Sequence, residues 1–202
     1  MENITKEEIK KLLEIPGSVR GQVFLTDIGY IKIKKREEGV KLFQNKIKEW
    51  NCPIDFPKVK ALDWYPAGLR AISLLAAKEV FNWGDKEISN MGYSAPTYSF
   101  IVQLLLKYFA SLERSFKETP KYWQKHWNVG KLEPYKINKE KKYVIIRLHD
   151  FKIHPIICTY LFKNGYFIRI AQYTAKGKNF SSKETKCMFR GDSYHECLIS
   201  WE

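Results

Sequence analysis

The sequence predicts an α+β domain in which an N-terminal helical layer packs on a C-terminal antiparallel sheet with one crossing helix. Apolar residues recur mainly with helical spacing up to about residue 130, and strand-like segments replace this pattern afterwards. The last elements follow the order strand, strand, helix, strand, strand, which indicates an antiparallel sheet covered by helices. The chain has 202 residues, 45% of them hydrophobic, and this size suits one domain with a single core.

Two helices are predicted in the first 60 residues. Thr5 is suited to cap the first helix, because acidic residues follow in the first turn, and Pro16-Gly17 ends it. The segment Val19–Ile33 alternates and fits either a strand or the lead into a helix. From Glu37 to Trp50 the apolar positions again have helical spacing.

Three further helices are predicted in the middle of the chain. Asp63-Trp64-Tyr65-Pro66 is expected to open the first, with the proline near its first turn, where a missing N–H costs nothing. Asp85 is a plausible cap for a helix that ends near Met91. The strongly apolar segment Tyr98–Phe109 has the length of a helix.

The last third contains the predicted sheet. A helix from Ser115 to Trp127, broken near Pro120, precedes it. A helix is expected to start at His154-Pro155 and to continue towards Tyr173. The strands are predicted at Leu132–Ile137, Tyr143–Leu148, Lys183–Phe189 and Glu196–Trp201.

Composition narrows the class of protein. No stretch approaches about 18 uninterrupted apolar residues, so no membrane span is predicted. The charged start, Met1 to Lys10, has no apolar signal-peptide core, and we therefore expect a cytoplasmic protein. In that compartment the four cysteines are expected to be thiols or metal ligands rather than disulfides.

Four sequence blocks, in this order, carry a resemblance to a known family. They are Asp63–Pro66, Tyr122–Leu132, a strand followed by a helix near His154-Pro155, and Cys187–Trp201, whose Cys-x-x-Arg-Gly-Asp hairpin is the most specific. These blocks resemble the 4-vinyl-reductase-like domains and their bacterial relatives, whose fold is similar to the heme-nitric-oxide-binding domain. The resemblance implies a core over residues 61–202, with 1–60 as an N-terminal extension of the same domain.

The resemblance implies a non-catalytic sensing or regulatory module that holds a small apolar molecule between helices and sheet. It does not carry over a reductase activity, because the chain has no dinucleotide-binding turn. Domains of this kind often pair, which leaves a homodimer open, although no residue of the sequence indicates one. Aromatic residues concentrated in the neutral middle third, together with a histidine, are the predicted ligand contacts: Trp64, Tyr65, Tyr98, Tyr108, Tyr122, Trp123 and His126.

Heme is an alternative ligand. His126 stands late in the helical layer, where a related gas sensor would supply an axial imidazole. However, the Tyr-x-Ser-x-Arg run that would hold the propionates is absent, because the corresponding segment is Ile145–Asp150. Neither heme nor zinc is favoured as a cofactor from the sequence.

Zinc is the second alternative. Cys187, His195 and Cys197 lie on the two arms of one predicted hairpin, and Cys158 on the preceding helix could approach them. His195 and Cys197 share a strand face. The competing interpretation is that the cysteines are buried as small apolar residues.

A basic surface leaves nucleic acid as a third alternative. Residues 121–202 carry 16 Lys and Arg against 7 Asp and Glu, within a net charge of +13. Solvated lysines are the favoured interpretation, since no nucleic-acid-binding motif is present. The lysines concerned interleave with aromatic residues: Lys121, Tyr122, Trp123, Lys125, Trp127, Lys131, Tyr135, Lys136, Lys139, Lys141, Lys142 and Tyr143.

A catalytic centre is not expected. The only close pairings are His149-Asp150 and Asp192 with His195, and neither comes with a nucleophile. Gly191 and Asp192 are better explained by a turn, in which the glycine has positive φ and the aspartate bonds local backbone.

Overall fold

A computed structural model describes residues 4–99, 102 and 111–202 of the chain and confirms the predicted α+β fold class. The helices are α1 (Lys6–Leu13), α2 (Gln22–Glu49), α3 (Gly68–Phe81), α4 (Asp85–Tyr98), α5 (Leu112–His126), α6 (Pro155–Phe162) and α7 (Tyr166–Thr174). The strands are β1 (Ser18–Arg20), β2 (Trp64–Pro66), β3 (Lys131–Asn138), β4 (Tyr143–His149), β5 (Ser181–Lys186) and β6 (His195–Ser200).

The main sheet is antiparallel and has the strand order β3-β4-β6-β5. Along β4 every second residue is buried, so that Val144, Ile146 and Leu148 face the helices. In β6 the buried positions are His195, Cys197 and Ile199. The register places Cys197 opposite Ile146 on one side and Glu184 on the other.

Two helices, rather than the single predicted one, connect β4 to β5. Helix α6 ends at Phe162, and α7 begins at Tyr166. Asn164, between them, has a φ of 54°, a left-handed conformation that ends a helix and that asparagine tolerates better than most residues. The apolar spacing continues across this break, which is why the sequence pattern did not reveal it.

The prediction for Trp64–Pro66 was wrong, because this segment is strand β2 and not the start of a helix. It pairs antiparallel with β1, with Val19 opposite Tyr65. Helix α3 begins only at Gly68. Val19 also bridges Trp127, so β1 connects the start of the chain to the end of α5.

Most of the segment Val19–Ile33, for which the sequence left a strand and a helix open, belongs to helix α2. The same helix includes the one predicted after Glu37. Only Ser18–Arg20 is a strand, and the helix then runs from Gln22 to Glu49 with a kink at Arg36 (φ 58°, ψ −165°). The predicted cap Asp85 is instead the first residue of α4, because Gly84 holds the cap position and its N–H donates to the Glu87 carboxylate at 2.9 Å. The predicted helix Tyr98–Phe109 lies outside the described residues, apart from Tyr98, Ser99 and residue 102.

Helix α5 passes through Pro120 without the predicted break. A proline at this position removes the N–H that would bond the carbonyl four residues earlier. The Thr119 hydroxyl donates to that carbonyl, on Phe116, at 2.8 Å. The side chain thus replaces the lost backbone donor, and the helix continues to His126.

The core is one continuous cluster between the helices and the inner face of the sheet. It includes residues of the N-terminal segment, such as Phe24 and Phe43, and residues of the sheet, such as Leu148 and Ile199. No helix in the described ranges is long and apolar enough to cross a membrane.

Gly68 gives a test of this packing. A Cβ at Gly68 would collide with the backbone carbonyl of Leu12, which cannot move away without displacing α1. We expect Gly68→Ala to lower the free energy of unfolding by about 1–3 kcal/mol, a typical cost of overpacking. Urea denaturation followed by circular dichroism measures this change.

Gly29→Ala is the matched control. Gly29 also lies inside a helix, but a Cβ there meets nothing within 4 Å among the described atoms. Alanine at this position is expected to raise stability by about 0.5–1 kcal/mol. Equal effects of the two substitutions would contradict the close approach of α1 to α3.

Candidate functional site

A cavity of about 130 Å³ lies between α5 and the inner face of the main sheet. Its wall is mainly apolar and includes residues of α2, α3, α4, α6 and α7. Phe116 and Trp123 on α5 lie against it, with Ile146 and Ile199 of the sheet and Phe167 of α7. Polar groups make up only a small part of its surface, so each polar side chain without a partner bears on what the cavity can hold.

His126, the last residue of α5, is one of these polar side chains. Its Nδ1 lies 3.0 Å from the carbonyl oxygen of Tyr122 and therefore donates to it. Its Nε2 is buried and has no partner among the described residues. Burial lowers the pKa of His126, and the nearby charges of Arg20 and Lys125 lower it further. The imidazole is therefore neutral near pH 7 and offers the Nε2 lone pair as an acceptor.

The wall beside His126 consists of packed aromatic rings. Trp123 and Trp127 stack with centroids 5.6 Å apart, and the Phe151 ring meets both edge-on at 5.2 and 5.0 Å. The indole N–H of Trp123 donates to the Val129 carbonyl at 3.0 Å, so it is already satisfied. These contacts fix the end of α5 and the position of the imidazole.

The structure brings together three of the predicted ligand contacts, Tyr122, Trp123 and His126, at this cavity. The others are placed elsewhere or not described. Trp64 is 41% exposed and lies under the Arg20 guanidinium, while Tyr98 ends α4 with 39% exposure. Tyr65 packs against Phe24, away from the cavity lining, and Tyr108 lies outside the described residues.

A buried ion pair forms another part of the cavity wall, and the sequence analysis did not single it out. Arg70 of α3 lines the cavity with its side chain only 1% exposed, and its Nη1 bonds the Asp27 carboxylate of α2. The Ser73 hydroxyl donates to the same carboxylate oxygen at 2.8 Å. The guanidinium also lies 4.2 Å above the Tyr160 ring. A charged residue within the apolar run that follows Gly68 was the signal that could have revealed it.

A second group of functional side chains lies at the β5–β6 edge of the sheet. One donor atom each from Cys158, Glu184, Cys187 and His195 lies within 4.8 Å of all the others. The Cys158 sulfur is 3.7 Å from His195 Nδ1, and the Glu184 carboxylate is 3.3 Å from that same nitrogen. A tetrahedral zinc site with bonds of about 2.0–2.3 Å separates its donors by roughly 3.3–3.8 Å. The cluster therefore has the donor chemistry of a zinc site, and the two distances to His195 Nδ1 lie in this range.

The orientation of His195 fits the role of a metal ligand. Its Nε2 lies 2.9 Å from the Phe151 carbonyl, which makes that nitrogen the N–H donor. Nδ1, which then carries the lone pair, faces Cys158 and Glu184. A ligating histidine commonly donates its other ring nitrogen in this way.

The thiols of the cluster are not reactive nucleophiles as they stand. Burial raises the pKa of Cys158 and that of Cys187, and the nearby Glu184 carboxylate raises both further. Such thiols stay protonated at neutral pH and are poor nucleophiles. A bound cation would reverse this effect, because zinc binds the thiolate form.

The predicted metal ligands Cys187 and His195 are in this cluster, whereas Cys197 is not. Cys197 shares the inner face of β6 with His195, but it is completely buried and its sulfur lies 3.9 Å from the Leu198 carbonyl oxygen, outside the cluster. Glu184 was missed by the sequence analysis. It precedes Cys187 by three residues, and a bulge after Glu184 changes which side chains of β5 face inward.

The other pairings found in the sequence have structural roles. His149 Nε2 lies 2.7 Å from a Glu133 carboxylate oxygen on the neighbouring strand. The predicted turn is confirmed, since Gly191 has a φ of 96° and Asp192 accepts from the Cys187 N–H at 2.8 Å.

The aromatic residues that interleave with the lysines do not form one surface. Trp123 and Trp127 are buried at the cavity, whereas Tyr135 is 47% exposed and stacks on the Arg147 guanidinium. Continuous stacking of single-stranded bases on this set is therefore not possible.

Comparisons with known proteins show which fold this chain has. No family model and no curated protein matches the sequence. Among solved structures, an H-NOX protein from S. oneidensis in the Fe(II)NO ligation state has a TM-score of 0.67 at 11% identity, over 91% of this chain and 99% of that one.

Other H-NOX structures agree. An oxygen-binding H-NOX domain related to soluble guanylate cyclases has a TM-score of 0.61, and an unliganded Fe(II) mutant from K. algicida has 0.60. Both are 11% identical over 91% of this chain, and 95% and 96% of their own chains are covered. The chain therefore has an H-NOX-like fold.

The titration of His126 gives a test of its environment. Since its pKa is lower in the folded state than its ordinary value of 6.5, the unfolded chain takes up the proton first as pH falls. This contribution to stability is complete above pH 6.5 and is lost below it. We expect wild type to lose stability relative to His126→Gln below about pH 6.5, by at most about 1.4 kcal/mol per pH unit for one proton.

Denaturant unfolding of both proteins between pH 5 and pH 8 provides the comparison. Burial also lowers the pKa of His154, but that residue is present in both proteins and cancels in the difference. Parallel stability curves for the two proteins would show that His126 is solvated like a free imidazole.

Proposed function

We propose that this chain is a non-catalytic sensing domain that binds one small, mainly apolar molecule in the cavity beside His126. The proposal rests on Nε2 of His126. This nitrogen is buried and has no hydrogen-bond partner among the described residues, and His126 lines a mainly apolar cavity. Buried polar atoms in proteins almost always have a partner, so a ligand that donates a hydrogen bond suits this nitrogen. The resemblance of the closing hairpin to 4-vinyl-reductase-like domains agrees with this role.

The size of the cavity limits the ligand. Its volume is about 130 Å³, and an engineered apolar cavity of about 150 Å³ binds benzene. One six-membered ring therefore suits the space. A hydroxyl or N–H group on that ring would donate to His126 Nε2, as phenol would do. The described cavity wall includes no thiol or carboxylate beside the imidazole, and this favours binding over catalysis.

Two of the similar structures were determined to study heme distortion or heme redox potential. Heme nevertheless fits the cavity of this chain poorly. His126 could supply an axial nitrogen. However, the cavity volume is that of one ring rather than of a porphyrin. Arg70 is the only permanently charged side chain in the described lining, and Asp27 already neutralises it, whereas a heme brings two propionates. We therefore derive no role for heme here.

A second function is favoured by an independent observation. We propose that Cys158, Glu184, Cys187 and His195 bind a zinc ion, because all four donor types suit zinc and their donor atoms lie within 4.8 Å of one another. Arg190 lies 3.5 Å from the Glu184 carboxylate and would offset part of the negative charge of two thiolates and a carboxylate. Four protein ligands leave no open position, so the ion would have a structural role and join α6 to the β5–β6 edge. Homodimerisation stays an open question from the sequence, and nucleic-acid binding stays an alternative that the sequence does not favour.

Phenol binding tests the first proposal. We expect wild type to bind phenol and His126→Leu to bind it about tenfold more weakly, because one hydrogen bond to a buried acceptor is lost. Isothermal titration calorimetry measures both affinities. His149→Leu is the matched control, since this histidine lies on the outer face of the sheet, and phenol affinity should not change.

Two results would contradict the proposal. One is that wild type binds neither phenol nor any other single-ring donor. The other is that freshly purified protein carries heme in equal amount, with a Soret band that His126→Leu abolishes.

Metal content tests the zinc site. Protein produced in zinc-supplemented medium is expected to contain about one zinc ion per chain, and Cys187→Ser should reduce this close to zero. Cys52→Ser is the control, because Cys52 is outside the cluster. Elemental analysis gives the metal content. Zinc-free wild type whose unfolding temperature does not rise when zinc is added would disprove the site.

A further inference from the structure

Arg70 is the only permanently charged residue in the described lining of the cavity. Only 1% of it is exposed, and Asp27, equally buried, is its ionic partner. Nη1 bonds Asp27, and the flat face of the guanidinium lies over the Tyr160 ring. Tyr160 also lines the cavity, so the guanidinium is held at the cavity wall by groups on both sides.

The second terminal nitrogen, Nη2, is buried and has no hydrogen-bond partner among the described residues. An unpaired N–H of a buried cation is costly, and natural proteins rarely leave one. The hydroxyl groups of Thr26 and Thr174, which also line the cavity, donate to backbone carbonyls of their own helices at 2.7 and 3.2 Å. Nη2 is thus a buried donor without a hydrogen-bond partner on a residue that lines the cavity, and Oδ1 of Asp27 is likewise buried and unpartnered.

We propose that Arg70 is a specificity-determining residue that donates from Nη2 to a carbonyl oxygen of the ligand. The inference rests on the proposed binding of a small molecule at His126 and narrows its chemical class. The ligand is a single-ring compound with an O–H or N–H donor for His126 and a carbonyl acceptor for Arg70. A cyclic amide such as a pyridone has both groups within the size of phenol.

Because Asp27 already pairs with Arg70, the acceptor group of the ligand should be neutral. The charge of Arg70 is already balanced by Asp27, which also accepts from Ser73. A ligand carboxylate would bring a third charge into the site without a counterion of its own, and burying an uncompensated charge is strongly unfavourable. A carbonyl oxygen accepts the Nη2 hydrogen bond without that cost.

Wild-type protein provides the first test, with no substitution that could disturb folding. Calorimetric titrations would compare phenol, 2-pyridone, 4-pyridone and benzoate. A pyridone is more strongly hydrated than phenol, so it binds well only if its carbonyl finds a donor inside the cavity. We expect at least one pyridone isomer to bind as tightly as phenol or about tenfold more tightly, and benzoate to bind more weakly than both.

A double variant tests the residue itself. Asp27→Leu with Arg70→Met removes Nη2 without leaving an unpaired buried charge, and such apolar replacement of a buried ion pair is often well tolerated. In this variant the affinity for a pyridone, taken as a ratio to the affinity for phenol, should fall about tenfold or more from its wild-type value. His126→Leu should weaken both ligands alike.

The outcomes separate the two proposals. If neither phenol nor a pyridone binds, the proposed function fails, and this inference fails with it. If phenol binds but both pyridones are at least tenfold weaker in wild type, ligand binding stands and the role of Arg70 is overturned. That role is equally overturned if the double variant still binds a pyridone as wild type does.

Discussion

Trp127 joins three parts of the molecule, and the candidate site depends on this contact. Its backbone bridges Val19 of β1, and its ring stacks on Trp123 and meets Phe151 edge-on. The end of α5 is therefore fixed between the N-terminal segment and the sheet. His126, which precedes Trp127 and lines the cavity, is held with one nitrogen bonded within the helix and the other buried without a partner among the described residues. The aromatic contacts that stabilise the fold thus also orient the one imidazole in the described lining.

The fold class followed from periodicity, because helices and strands bury one side at different intervals. Predictions of individual elements were wrong where tertiary contacts or side-chain hydrogen bonds determine the local structure. Pro66 favoured a helix start, yet pairing with β1 made its segment a strand. Pro120 favoured a break, but the Thr119 hydroxyl restores the missing hydrogen bond. The Asn164-Gly165 pair is a typical turn signal, but apolar residues keep the same spacing on both sides of it, and this periodicity predicted one continuous helix.

The sites were predictable only in part, for a related reason. The alternation of side chains along a strand places both His195 and Cys197 on the inner face, so it cannot tell which of them belongs to the cluster. Only the position of α6 in the folded chain shows that Cys158 completes the cluster. Glu184 depends on a bulge that no pattern indicates. Arg70 and Asp27 are 43 residues apart, and their pairing inside an apolar cavity is a property of the packed helices α2 and α3.

Ligand binding in this cavity, as proposed, requires His126 Nε2 to accept a hydrogen bond from the ligand. Long-range proton–nitrogen NMR of the histidine side chains, recorded without and with saturating phenol, tests it most directly. We expect one neutral histidine protonated at Nδ1, assigned to His126 by substitution, whose Nε2 resonance moves upfield when phenol donates to it. An Nε2 resonance that does not respond to phenol, or an Nε2 that already carries the proton, would contradict this claim.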